Sequence, residues 1–173
     1  MAVHNHIEVN FEITPPPPEG THLAVNLSPI PLFESGFNLA VEVSTASAFR
    51  SPPLNAPLSS ITVTAHFDTG ATFTAIDINL ARHLNLLAIG QSEHHTAAGR
   101  QTMPNFAVDI SFLNTRLSPI YNLRISSCNL GFALKNNASL PNPQNMGLLI
   151  GRDIMSRWNI IWNGPTSTVI VSD

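Results

Sequence analysis

A mainly β chain with one or two short helices is the fold class this sequence predicts, and three observations predict it. Apolar residues mostly alternate with polar ones or gather in short β-branched runs, the period-two signature of strands. Proline is frequent, 14 of 173 residues, and punctuates the first sixty at Pro15 to Pro18, Pro29, Pro31, Pro52, Pro53 and Pro57. An apolar spacing of four holds clearly over one stretch only, Ile76, Leu80 and Leu84.

Taken in order, HLAVNL (His22 to Leu27) and FNLAVEVS (Phe37 to Ser44) read as strands, and Ser47 to Ser59 as a loop to the next strand. ITVTAHF, from Ile61, alternates Val, Ile and Thr with other residues and runs into Asp68-Thr69-Gly70, where Gly70 breaks it. Thr74 or Asp77 can cap the helix carrying Ile76, Leu80 and Leu84, with Gly90 as its stop. FAVDISF (Phe106 to Phe112), YNLRISS and LGFAL follow as strands, ended by Pro141-Asn142-Pro143. Leu148 to Ile150 makes a buried strand, Gly151 a break and Asp153 to Trp158 a short helix, before two terminal strands joined at Asn163-Gly164. No longer repeat appears. The reading divides the chain into a Pro-rich segment with an extra strand, 1–35, and one domain, 36–173.

A chain of this length buries about 70% of its unfolded surface, so a core without staples is within reach. Only 11% of residues are charged and 43% are hydrophobic, which excludes disorder over the whole chain. Eight basic and eleven acidic residues give a net charge of −3 with no basic patch, so no nucleic-acid partner is predicted. The N-terminus MAVHNHIEVN lacks the pattern of a secretory signal and no apolar run approaches a membrane span, which reads as a cytoplasmic protein without a membrane partner. Cys128, the single cysteine, excludes an internal disulfide and reads as a small buried hydrophobe. His4-Asn5-His6 and His94-His95 lack metal-ligand spacing, and the phosphate and dinucleotide loops are absent, so neither metal nor cofactor is predicted. Pro15 to Pro18 reads as a stiff spacer, with a polyproline ligand as the other reading.

The residues that carry chemistry are Asp68-Thr69-Gly70-Ala71 at a strand tip: a carboxylate, a hydroxyl, and a glycine whose backbone a partner can approach. The tripeptide alone is also explained as an Asx turn. A second signal lies about 80 residues on, Leu148-Leu149-Ile150-Gly151-Arg152-Asp153, an apolar run opening through Gly into a helix. Together they resemble the retropepsin-like aspartic proteases, in which an apolar strand leads into Asp-Thr-Gly-Ala and an Ile-Gly-Arg-Asp/Asn stretch packs behind that loop. The resemblance spans roughly Ile61 to Val171.

It implies a closed β-barrel half-lobe active as a symmetric homodimer, in which a peptide or protein substrate is hydrolysed by a water held between two aspartates. One carboxylate of such a pair is ionised and the other protonated. The chain's five aspartates are Asp68, Asp77, Asp109, Asp153 and Asp173, and only Asp68 precedes Thr-Gly. The second catalytic carboxylate would therefore come from a second copy of the chain. The resemblance further implies that Thr69 hydrogen-bonds across the dimer axis, that the Gly70 backbone touches substrate or carboxylate, and that the terminal strand VIVS joins the two subunits. Ala71 stands where pepsin-like members often carry Ser, which moves the expected working pH towards neutral.

A flap over the substrate is expected at His95 to Thr102, small residues around a Gly hinge, with Ala98 and Gly99 at its tip. Leu149 matches a pocket-lining position or is plain core. His66, two residues before Asp68 and so on the same strand face, either lines a specificity pocket or faces solvent without a role. Arg152 in this family pairs with an acid at the position of Thr72, so it is expected to find another partner: Asp77, Asp153 of the second copy or the C-terminus. The competing functional reading is a catalytically idle dimerisation or peptide-binding module of the same fold.

Overall fold

The computed structural model describes residues 23–27, 36–49, 60–96, 99–132, 146–163 and 168–173, with the backbone alone at 23–27, 95 and 96. Phe37–Thr45 (β2) and Ser60–Phe67 (β3) pair antiparallel from Phe37↔Phe67 to Ser44↔Ser60. β3 then pairs in parallel with Met146–Ile150 (β8), which lies antiparallel to the three-residue strand Ala75–Asp77 (β4). Beyond β4 come Ile120–Cys128 (β7) and Gly99–Phe112 (β6). β6 returns to β2 through Val41↔Phe112 to Thr45↔Val108. Six strands thus close into a barrel, which removes the free edges that an open sheet would expose.

Alternation fills the barrel. Phe37, Leu39, Val41 and Val43 of β2 point inward, opposite Val63, Ala65 and Phe67 of β3 and Val108 and Ile110 of β6, all buried in one cluster. Each Val, Leu, Ile or Phe among them contributes about 1.5–3 kcal/mol of transfer free energy. The helices are short: Ile78–His83 (α1) buries Leu80 and Ala81, and Arg152–Met155 (α2) buries Ile154 and Met155. A separate three-stranded sheet orders Leu23–Leu27 (β1), Thr168–Ser172 (β10) and Asn159–Asn163 (β9). β10 inserts Val169 and Val171 into the common core. Trp158, just before β9, lies 6.0 Å from the Phe67 ring and edge-on to Phe112 at 5.2 Å, so the second sheet meets the barrel at the end where β3 stops.

Two buried aspartates fasten the loops. Asp77 caps α1 by accepting from Asn79 N at 2.7 Å, and its other oxygen accepts from Leu130 N at 2.7 Å and Phe132 N at 3.2 Å. Asp109 accepts from Ser47 N and Asn122 N, tying the 3-10 turn Ser47–Phe49 to β7. A carboxylate without water needs such donors.

Several sequence expectations are corrected. The helix begins after Asp77, not at Thr74, because Ala75–Asp77 is taken into the barrel by β7 and β8. Gly90 does not stop it: α1 ends at His83, and Gly90 sits within Ala88–Thr96 (β5), beside an irregularity in its pairing with β6. Leu130 to Phe132 form no strand, since the Leu130 and Phe132 N–H groups go to Asp77 rather than to a ladder. VIVS is not an unpaired strand end: β10 is flanked by β1 on one side and β9 on the other within the same chain.

Candidate active site

The parallel pairing of β3 with β8, Phe67 opposite Ile150, brings the two sequence motifs side by side. Asp68 N donates to Ile150 O at 3.1 Å, and Ala71 N donates back to Asp68 O at 3.1 Å, closing the turn. Arg152 N and Asp153 N then donate to Ala71 O and Thr72 O at 3.0 and 3.2 Å. The turn therefore rests on backbone bonds to the β8–α2 corner, the arrangement that fixes a carboxylate in place.

Side chains reinforce that seam. Thr74 Oγ1 accepts from Gly151 N at 3.0 Å and donates to Asp153 Oδ1 at 2.8 Å, and the same oxygen takes Thr74 N at 2.9 Å. Arg152 Nη2 donates to Thr72 Oγ1 at 2.9 Å. Arg152 thus finds its partner at the position where the acid was missed, through a hydroxyl instead of a carboxylate, and not at Asp77, which is occupied elsewhere.

Asp68 itself is half-buried, with Thr69 and Gly70 exposed beside it. Its carboxylate accepts Gly70 N at 2.7 Å, a bond within its own turn. Asp77, Asp109 and Asp153 are held by donors from other segments, and Asp173 accepts Ser118 N at 2.7 Å. Among the five aspartates, all within the described residues, Asp68 is the one whose carboxylate accepts no hydrogen bond from another segment.

Next to the turn is a cavity of about 430 Å³. Gly70, Ala71, Thr72 and Phe73 form one wall with Leu149, and Ala75, Ser127 and Cys128 form another. Its remaining wall is Glu93, His94, Gln101 and Met103 from the β5–β6 hairpin. The hairpin lies at the position the sequence assigns to a flap: Thr96 pairs with Gly99 at its end, and Ala98, expected at the tip, lies outside the described residues. Among the sequence candidates the structure gathers Gly70, Ala71 and Leu149 at the cavity. It does not bring His66 there. His66 Nδ1 is hydrogen-bonded to Asn38 Oδ1 at 2.9 Å on the neighbouring strand β2, and Gly99 lies beyond the cavity-lining part of the hairpin.

Sequence reasoning missed Glu93, His94, Met103 and Cys128 as lining residues, whereas Gln101 falls within the expected flap. Alternation along β6 puts Gln101 and Met103 on one face, a signal that was present but had no cavity to point at. Cys128 is half-exposed rather than fully buried, and desolvation first, then the Asp77 charge, pushes its thiol up to about 11. No His, Cys, Asp or Glu group of three or more that could hold a metal is found among the described residues, and no helix there is long and apolar enough to cross a membrane.

No protein-family model and no curated protein matches the sequence. Among solved structures, the chain is similar to a retropepsin-like aspartic protease from Rickettsia conorii at 13% identity and a TM-score of 0.40, over 88% of this chain and 92% of that one.

Proposed function

We propose that the chain is a retropepsin-like aspartic endopeptidase that works as a homodimer, each subunit giving Asp68 to one shared site. The observation that carries this reading is the Asp68-Thr69-Gly70-Ala71 turn, laced by backbone bonds to Ile150-Gly151-Arg152-Asp153 and opening beside a cavity walled by a hairpin. The turn offers a carboxylate on a rigid support with the rest of its surroundings free for a substrate.

In this mechanism Asp68 and its copy share one proton, because two carboxylates a few ångströms apart do not both ionise. The ionised member takes a proton from the water between them as the water attacks the peptide carbonyl. The protonated member donates to the carbonyl oxygen, giving a non-covalent tetrahedral intermediate. Proton transfer to the leaving nitrogen then releases the two products. Thr69 braces the paired turns, Ala71 and Leu149 contact the substrate, and the β5–β6 hairpin excludes water from the peptide.

The test is cleavage of an unstructured protein such as casein from pH 3 to 8, wild type beside Asp68→Asn, with the mass in solution recorded in each buffer. Activity that follows the dimer and falls by at least ~10³-fold in Asp68→Asn, with the fold kept, supports the reading. A stable dimer that cleaves nothing at any pH replaces it with a peptide-binding module. A monomer throughout removes the basis for a shared site.

A further inference from the structure

The hairpin that walls the cavity is held at one point by a side-chain bond whose position is informative. His94 on β5 hydrogen-bonds through Nε2 to Ser126 Oγ on β7. These strands are not neighbours, because β6 lies between them in the sheet. His94 pairs across the hairpin with Gln101, whereas Ser126 pairs with Asn105, four residues further along β6. Four residues of strand span roughly 13 Å, so the bond requires the paired β5–β6 hairpin to curl back towards β7. A second bond lies nearer the base of the hairpin, from buried Asn105 Nδ2 to Ser92 Oγ at 2.7 Å.

The contact also sits at a boundary. His94 lines the 430 Å³ cavity beside the Asp68 turn and, with Phe73 and Glu93, a second cavity of about 340 Å³ that reaches Ser126 and Asp153. The imidazole is therefore on the inner side of the hairpin, between the two spaces. Neither Gln101 nor Met103, which share the first wall, has a side-chain bond to the barrel among the described residues.

We infer that His94 and Ser126 form a clasp that seats the β5–β6 hairpin over the Gly70–Phe73 wall, making His94 a positioning residue for substrate closure. This rests on the proposed protease reading for its consequence but not for its geometry. His94 acts through the hairpin: it sets where Glu93, Gln101 and Met103 stand, while the Asp68 carboxylate is untouched. A bound peptide would find the hairpin pre-placed, which lowers the ordering cost of closure.

The experiment is amide hydrogen exchange of the full chain, wild type beside His94→Leu, Ser126→Ala, the double variant and His94→Gln. Both single variants should speed exchange in the cavity-lining part of the hairpin, residues 91–94 and 100–103, by roughly 2- to 10-fold, the span of one side-chain hydrogen bond, with the barrel strands unchanged. The double variant should add nothing to either single. His94→Gln, whose carboxamide can still meet Ser126, should restore most of the protection. Unchanged hairpin exchange in either single, or additive effects in the double, overturns the clasp. Exchange needs no cleavage, so it decides the clasp even for a chain that hydrolyses nothing. Where cleavage is found, the same singles should raise KM several-fold at nearly constant kcat. A loss confined to kcat would place His94 in the chemistry and overturn the positioning role.

Discussion

A β-carbon on Gly151 would lie 2.4 Å from the Phe73 carbonyl carbon and 2.8 Å from Thr74 N, both backbone atoms that cannot step aside alone. Gly151→Ala must therefore push the Asp68 turn away from the β8–α2 corner. We expect a loss of about 1–3 kcal/mol in urea unfolding, with any activity falling further than stability. The sequence displayed Gly151 as a break before a helix and as part of a motif that the resemblance packs behind the Asp68 loop, but the contact that demands a glycine, a neighbouring backbone 77 residues or more away in sequence, has no local signature. Asp68 was legible for the opposite reason: a carboxylate, a hydroxyl and a glycine in a row at a strand end are a chemical pattern in themselves. Cys128 gives a second prediction. Burial and the Asp77 charge favour its neutral form in the folded chain, so between about pH 9 and pH 11 the folded state holds a proton that the unfolded state has released. Stability contributed by this thiol is present below that window and is lost as pH rises through it. Alkylation by iodoacetamide should accordingly be slow at pH 8 and climb towards pH 11, and a rate already maximal at pH 9 would contradict the burial.

α1 is six residues long, too short to stand alone, and depends on its cap. Asp77→Ala removes the bond to Asn79 N and leaves the buried Phe132 N–H and the part-buried Leu130 N–H without their acceptor. Cap loss of about 1 kcal/mol and roughly 1–3 kcal/mol for each orphaned donor predict a destabilisation of at least ~3 kcal/mol by denaturant titration. A loss below about 1 kcal/mol would mean that water reaches those groups. This capping aspartate also shows where element reading from sequence stops. The spacing of Ile76, Leu80 and Leu84 is helical, yet Ile76 lies in β4, because three residues become a strand when β7 and β8 supply partners from far along the chain. LGFAL alternates like a strand, but Leu130 and Phe132 give their N–H groups to a carboxylate instead. The runs within β2, β3, β6 and β7 were readable because their sequence alternates apolar with polar residues or is β-branched, even though β6 and β7 bury consecutive residues.

At the scale of the whole molecule, the closed barrel limits what one chain can do. Asp77 and Asp109 are buried in barrel strands and bonded to its loops, Asp153 braces the turn from behind, and Asp173 is bound to Ser118, so none is offered to Asp68 as a catalytic partner. The terminal strand is likewise used up: β10 has neighbours on both sides, and the outer strands of its sheet among the described residues are β1 and β9, the latter exposing Ile161 and Trp162. If a second copy completes the proposed site, it meets this chain through some surface other than the edges of β10, and the proposed chemistry makes that meeting measurable. If every active site takes one Asp68 from each of two chains, adding Asp68→Asn chains to a fixed amount of wild type converts productive pairs into mixed ones. Under free exchange at concentrations where all chains are paired, an equal amount of the variant leaves about half the activity, and a threefold excess about a quarter. A site complete within one chain predicts no change at any ratio. Retention of full activity against excess Asp68→Asn, with mixed dimers detected by mass, would therefore rule out a site shared between copies even if the chain proved to be a protease.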